Sequence, residues 1–171
     1  MMQNRIALAE YLKERKFTTG VEIGVATGRY SEILLQKNPF LKSLVCVDPF
    51  YRKGHYESTV ATLEKYKDRV TIIRETSMKA VLDFPDETFD FVFIDGNHSF
   101  DYVMEDIIGW SRKVAKGGII SGHDYYHFHH SGVIEAVNKY CEIHKLVLNL
   151  TEWDFNGHID DKCPCWWFEK K

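Results

Sequence analysis

Val21-Glu22-Ile23-Gly24-Val25-Ala26-Thr27-Gly28 is a short apolar burst that stops at one glycine and enters a turn closed by another, four positions on. Tyr30–Gln36 comes next with helical character, so the segment reads as strand, glycine turn, helix. The cycle repeats downstream. Ser43–Asp48, Val70–Arg74, Phe89–Asp95 and Gly118–Ser121 read as strands, with helices expected over Tyr56–Tyr66, Ser77–Leu82 and Tyr102–Val114 between them. Upstream, Asn4–Lys16 reads as a helix closed by Thr18, Thr19 and Gly20. Strands that alternate with helices are joined by crossovers, which build a parallel sheet covered on both faces. The strands are continuous apolar runs, as such a sheet requires. After a helix at Val133–Cys141, the apolar runs Lys145–Leu150 and Pro164–Phe168 are joined by the polar stretch Thr151–Lys162. With no helix between them, these two runs predict an antiparallel pair.

The expected fold is therefore α/β: a doubly wound, mostly parallel, seven-stranded Rossmann-like sheet with an antiparallel last strand and helices on both faces. A chain of 171 residues suits one domain. It would comprise a first helix at 4–16, a half at 20–95 and a second half at 96–171. Lys plus Arg number 22 against 25 Asp plus Glu, a net charge of −3, which lacks the basic excess that nucleic-acid backbones demand. No apolar run reaches the roughly 18 residues of a membrane helix, and Met1–Arg15 carries charges throughout, so a cytoplasmic protein is expected. Cys46, Cys141, Cys163 and Cys165 read as reduced thiols.

Ligands of open parallel sheets bind beyond the carboxyl ends of the strands. Those ends here carry Glu22 and the glycine turn, Asp48, Thr76-Ser77, Asp95-Gly96-Asn97-His98, and Gly122-His123-Asp124. The glycine spacing lacks the G-x-G-x-x-G pattern that brings backbone against a pyrophosphate, which argues against a dinucleotide-dependent oxidoreductase. Gly24 and Gly28 let the chain pass close to a ligand, and Glu22 offers a carboxylate to an ammonium group. Asp48 is placed to accept hydrogen bonds from both hydroxyls of a ribose. An adenosine that carries an amino acid fits that pair of acids.

These residues, with Val47-Asp48, Phe93–Tyr102 and Gly117–Tyr125, give the chain its resemblance to class I S-adenosylmethionine-dependent methyltransferases. Within them it resembles the small bacterial branch related to macrocin-type O-methyltransferases and cephalosporin hydroxylases. The likeness runs from about Gly20 to about Tyr140. It implies S-adenosylmethionine as cofactor. Glu22, Gly24, Ala26, Thr27 and Gly28 would hold the methionine part, with Asp95 beside its amino group, Asp48 the ribose, and Ser77 with Met78 the adenine edge. The acceptor would be a small hydroxylated molecule, with Asp95, His98 and Asp124 as catalytic residues. The resemblance further implies a divalent metal, Mg²⁺ or Mn²⁺, at Asp95, His123 and Asp124.

Each assignment has a plainer counterpart. Asp95 would instead bind only the cofactor's amino group or cap a turn, His123-Asp124 would order the next loop, and Ser77 would cap its helix. His98 fits either a general base or a nitrogen ligand. An imidazole among carboxylates moves preference from Mg²⁺ toward Mn²⁺, Fe²⁺ or Zn²⁺. Tyr125–His130 suggests a lid, and Pro49–His55 an opposite wall with Phe50 and Tyr51 near the adenosine. Cys163-x-Cys165 with His158 and Asp160 or Asp161 has only half of a zinc pattern. Trp166 and Trp167 read as sheet-packing residues, one available to a subunit contact in a homo-oligomer. A non-catalytic cofactor-binding or assembly subunit is the alternative from a different functional class.

Overall fold

The computed structural model describes residues 2–171, apart from the side chain of Asp160. Helix α1 (Arg5–Glu14) begins at Asn4, whose side chain accepts hydrogen bonds from the Ile6 and Ala7 amides at 3.0 and 3.1 Å. That satisfies two of the amides a helix start leaves unpaired. Its Leu8, Ala9 and Leu12 are fully buried, and a leucine so placed contributes about 2 kcal/mol. The helix is shorter than its apolar spacing suggested. Thr19 and Gly20 belong to strand β1 (Thr19–Ile23), because Asp90 accepts hydrogen bonds from the Thr18 and Thr19 amides and draws that segment into the sheet.

The chain continues through α2 (Arg29–Lys37), β2 (Ser43–Val47), α3 (His55–Leu63), β3 (Val70–Ile73), α4 (Ser77–Ala80), β4 (Phe89–Ile94), α5 (Phe100–Lys113) and β5 (Val114–Gly122). It ends with α6 (Val133–His144), β6 (Asn149–Leu150) and β7 (Trp166–Glu169). One seven-stranded sheet has the order β3-β2-β1-β4-β5-β7-β6. The first five strands are parallel, while β7 runs antiparallel to β5 and to β6. Strand β5 starts earlier than expected: Val114 already pairs with Phe89, and a register irregularity before Ile119 takes up Gly117 and Gly118.

Side chains alternate across the sheet with period two. Val21, Ile23, Val45, Val47, Val92 and Ile94 face a core closed by α5 and α6 through Ile107, Trp110, Ala136 and Val137. Leu44, Cys46, Phe91 and Phe93 face the opposite core, filled by Leu8 and Leu12 of α1 and Leu34 and Leu35 of α2. Glu22 alternates with Val21 and Ile23 and so points toward α1 and α2. Strand order reverses at β1 and β4, the switch point that opens a crevice beyond their carboxyl ends. Among the described residues, no helix is long and apolar enough to cross a membrane.

Candidate functional site

Hydrogen bonds of the sheet ladder extend one residue past the strands and anchor the start of each loop. Gly24 N–H donates to the Val47 carbonyl at 2.9 Å, Asp95 N–H to Ile23 at 2.7 Å, and His123 N–H to Ile94 at 3.1 Å. Gly24 adopts φ +85°, and a Cβ there would overlap the Asp95 carbonyl, so the turn after β1 closes against the end of β4 only with glycine. Beyond these ends opens a pocket of about 460 Å³, whose wall includes Glu22, the Gly24–Thr27 turn, Asp95, His123 and Asp124.

Glu22 is 2% exposed. Burial is the main reason its carboxyl is pushed up to about 8, opposed by a short hydrogen bond from the Ser31 hydroxyl. Although the charge of Arg5 pulls the other way, the group is mostly protonated at neutral pH, and an ammonium ion against it would restore the carboxylate.

Asp48 is more committed than its place at a strand end suggests. Its Oδ2 accepts the amides of Val25 and Ala26, each at 2.9 Å, and its Oδ1 the amide of Phe50 at 2.5 Å. Ala26 and Phe50, both at φ +53°, occupy the left-handed region that disfavours side chains. One carboxylate thus binds both turns, and a ribose would share it with them. Phe50, 4% exposed, belongs to the core against Tyr56 and not to a ligand wall. Tyr51 is exposed. Ser77 donates a short hydrogen bond to Asp106 and accepts one from Trp110 Nε1 at 2.8 Å, tying α4 to α5. Met78 packs against the core on that side, and neither Ser77 nor Met78 lines the pocket. Thr76, not Ser77, holds the cap position of α4.

At the ends of β4 and β5 the structure assembles Asp95, His98 and Asp124, one ligand atom from each lying within 4.8 Å of the others. This set differs in its imidazole from the expected Asp95, His123 and Asp124. His123 is 6% exposed, its Nδ1 lies 3.1 Å from Asp124 Oδ1 but 3.9 Å from Asp95, and its Nε2 is buried without a partner. Strand β5 turns that ring inward, whereas the loop before α5 brings His98 Nε2 within 3.0 Å of Asp124 Oδ2 and 3.5 Å of Asp95 Oδ1. Hydrogen bonds from His98 to Asp124 and to Asp95 push the imidazole up to about 10. As it stands it is charged at neutral pH and cannot act as a base there. Burial alone would raise Asp124, but hydrogen bonds from His123 and His98 outweigh it and hold the group well below the usual carboxylate range. Asp124 also sits at φ +55°, and such strain gathers at functional sites.

The zinc pattern does not assemble. Cys165 is fully buried in the core, Asp161 is bound elsewhere, and Asp160 lies outside the described side chains. The expected lid is divided: Tyr125 is tied to Asn138 of α6 at 2.8 Å, while Tyr126 lines the pocket. Tyr126 stacks on Phe128 and meets Trp153 edge-on, and Phe128 contacts the His98 ring, forming an aromatic rim. Trp167 packs on Tyr11 of α1, with 4.9 Å between ring centroids.

Sequence reasoning missed Arg5 and Arg29, and named Asp161 only as part of the half zinc pattern. Arg5 is 5% exposed, lies over the Tyr30 ring, donates to Asp161 at 2.5 Å and stands 3.7 Å from Asp95. Arg29 grips the same aspartate through both terminal nitrogens. The available signal was weak: one arginine beside the helix cap Asn4, another directly after Gly28.

A methyltransferase-domain family model matches residues 21–125. The chain therefore belongs to the methyltransferase-domain family, and its domain is that of a class I S-adenosylmethionine-dependent methyltransferase. An uncharacterized protein of Acanthamoeba polyphaga mimivirus is 29% identical over 134 residues, 74% of this chain; the chain spans about 60% of that relative's length. Among solved structures, an O-methyltransferase from Bacillus cereus in complex with S-adenosylhomocysteine superposes with TM-score 0.74 at 14% identity, over 96% of this chain and 80% of that one. The O-methyltransferase TomG from Streptomyces achromogenes, in complex with S-adenosylmethionine, gives 0.69 at 15% identity over 97% and 79%. The N-methyltransferase NodS from Bradyrhizobium japonicum also gives 0.69, at 16% identity over 97% and 94%. The sheet is common to enzymes that methylate oxygen and nitrogen, so the fold does not select the acceptor atom.

Proposed function

We propose that this protein transfers the methyl group of S-adenosylmethionine to a hydroxyl oxygen of a small acceptor, assisted by a divalent cation. The observation that carries this reading is that Asp95 and Asp124, which line the pocket together with Glu22 and the glycine turn, converge with His98. The methyl carbon leaves sulfur with the bonding pair remaining there, bonds to the acceptor oxygen, and the hydroxyl proton departs. The protein aligns the oxygen with the carbon–sulfur axis and excludes water. Asp95, facing the pocket, is positioned to accept that proton.

Two carboxylates and one imidazole are a donor set suited to Mn²⁺, Fe²⁺ or Zn²⁺ more than to Mg²⁺. When bound, such an ion stabilises the acceptor as an oxyanion. Loading it requires His98 to give up its proton, so cation affinity rises with pH. Titration calorimetry with S-adenosylhomocysteine, S-adenosylmethionine and NADH, each with and without Mn²⁺ or Mg²⁺, tests the reading. Binding of both adenosyl compounds, inert NADH, and a Mn²⁺ heat that Asp124→Asn abolishes are expected, followed by turnover of a hydroxylated acceptor from a panel. Silence with both adenosyl compounds would leave the fold without the activity and favour an assembly subunit.

A further inference from the structure

Asp161 is 2% exposed although the connection that carries it is open, with Phe155 at 74% and Ile159 at 72%. It accepts three charged hydrogen bonds: from Arg5 Nε at 2.5 Å, and from Arg29 Nη1 and Nη2 at 2.8 and 2.6 Å. These join the last connection of the chain to α1 and to the start of α2, across 156 and 132 positions of sequence. Arg5 and Arg29 are the cationic Arg or Lys side chains of the pocket wall among the described residues.

We propose that Asp161 is a positioning residue for the amino-acid end of the cofactor: it holds Arg5 and Arg29 at the pocket wall, where together they receive the cofactor's carboxylate. The inference rests on the S-adenosylmethionine reading above. The two guanidinium groups face Asp161 and, from Arg5, Asp95 at 3.7 Å, but each has five N–H donors, more than these carboxylates take, so donors remain for a further carboxylate. Glu22 stands on the same wall as the partner for an ammonium group. An acid and a pair of arginines on one wall match the two charges of an amino acid, and a carboxylate gains most from fixed, paired donors. Arg5 is fixed twice, by Asp161 and by the Tyr30 ring 5.0 Å beneath it, which limits the ordering that binding would otherwise demand.

The test compares S-adenosylhomocysteine with 5′-methylthioadenosine, which keeps adenosine and sulfur but lacks the amino-acid end, by calorimetry on the full chain. The unaltered protein should bind S-adenosylhomocysteine about tenfold tighter or more. Asp161→Asn should weaken S-adenosylhomocysteine by about tenfold while leaving methylthioadenosine within about twofold. Arg29 is one-third exposed, so Arg29→Gln preserves the fold if Asp161→Asn does not, and should lower the same preference. Equal loss for both ligands, or loss for neither, overturns the proposal. An unaltered protein that binds both ligands equally removes only the carboxylate subsite, whereas one that binds neither removes the cofactor reading with it.

Discussion

Replacing Glu22 by glutamine separates the cofactor reading from a purely structural one. With its pKa near 8, Glu22 is about nine-tenths protonated at pH 7. An ammonium group at the site would return it to the carboxylate, so binding should release about 0.9 proton at pH 7 and tighten as pH rises toward 8. Calorimetry with S-adenosylhomocysteine in buffers of different ionisation enthalpy counts that proton. Glu22→Gln should release about one proton fewer and bind more weakly. Stability moves the other way. The folded pKa lies above the unfolded value near 4.5, so the folded state holds the extra proton between pH 4.5 and 8, and stability falls as pH rises through that window. At pH 7 this costs about 3 kcal/mol, which glutamine avoids. His98 adds a slope of the same sign, but only above its unfolded value: its stabilisation is complete below 6.5 and is lost as pH rises toward 10. Burial of Asp106, which pushes it up to about 6, adds a further loss of stability as pH rises from its ordinary 3.8 to 6. The difference between the two proteins isolates Glu22. Urea unfolding from pH 5 to 8 should give a flatter profile for Glu22→Gln, by up to about 1.4 kcal/mol per pH unit. Identical proton counts and parallel profiles would refute the argument.

Gly24→Ala forces a side chain into φ +85° against the Asp95 carbonyl, so it should abolish detectable S-adenosylhomocysteine binding by calorimetry while the far-ultraviolet spectrum stays native. Ser77→Ala leaves Asp106 and Trp110 Nε1 without their shared partner and should cost about 1–3 kcal/mol in urea unfolding. Its S-adenosylhomocysteine affinity should change by less than about twofold; a tenfold loss would return Ser77 to the adenine edge.

Much of the fold is legible in the chain because its signals are local. Val21–Gly28, Val45-Cys46-Val47 and Phe91–Ile94 are apolar runs ended by glycine or aspartate, and a parallel sheet results from their alternation with helices. Boundaries are less legible: Asp90 recruits Thr19 to the sheet through a tertiary hydrogen bond that no periodicity records.

The residue types gathered at strand ends are likewise written in the sequence, since strand order alone delivers Glu22, Asp95 and Asp124 to one crevice. Which of them touch depends on side-chain direction. His98 and His123 are equivalent on paper, yet strand pleating turns His123 inward while the loop before α5 carries His98 to Asp124. Asp48 and Phe50 were legible as residue types but not as partners, because their backbone turns had first to form around one carboxylate. Arg5, Arg29 and Asp161 meet across more than 130 positions. Contacts at that separation depend on how the last connection folds back over α1. The sequence determined the sheet and the acids at its edge through short-range pattern; only the tertiary structure decided which charges face one another, because that is set by long-range packing.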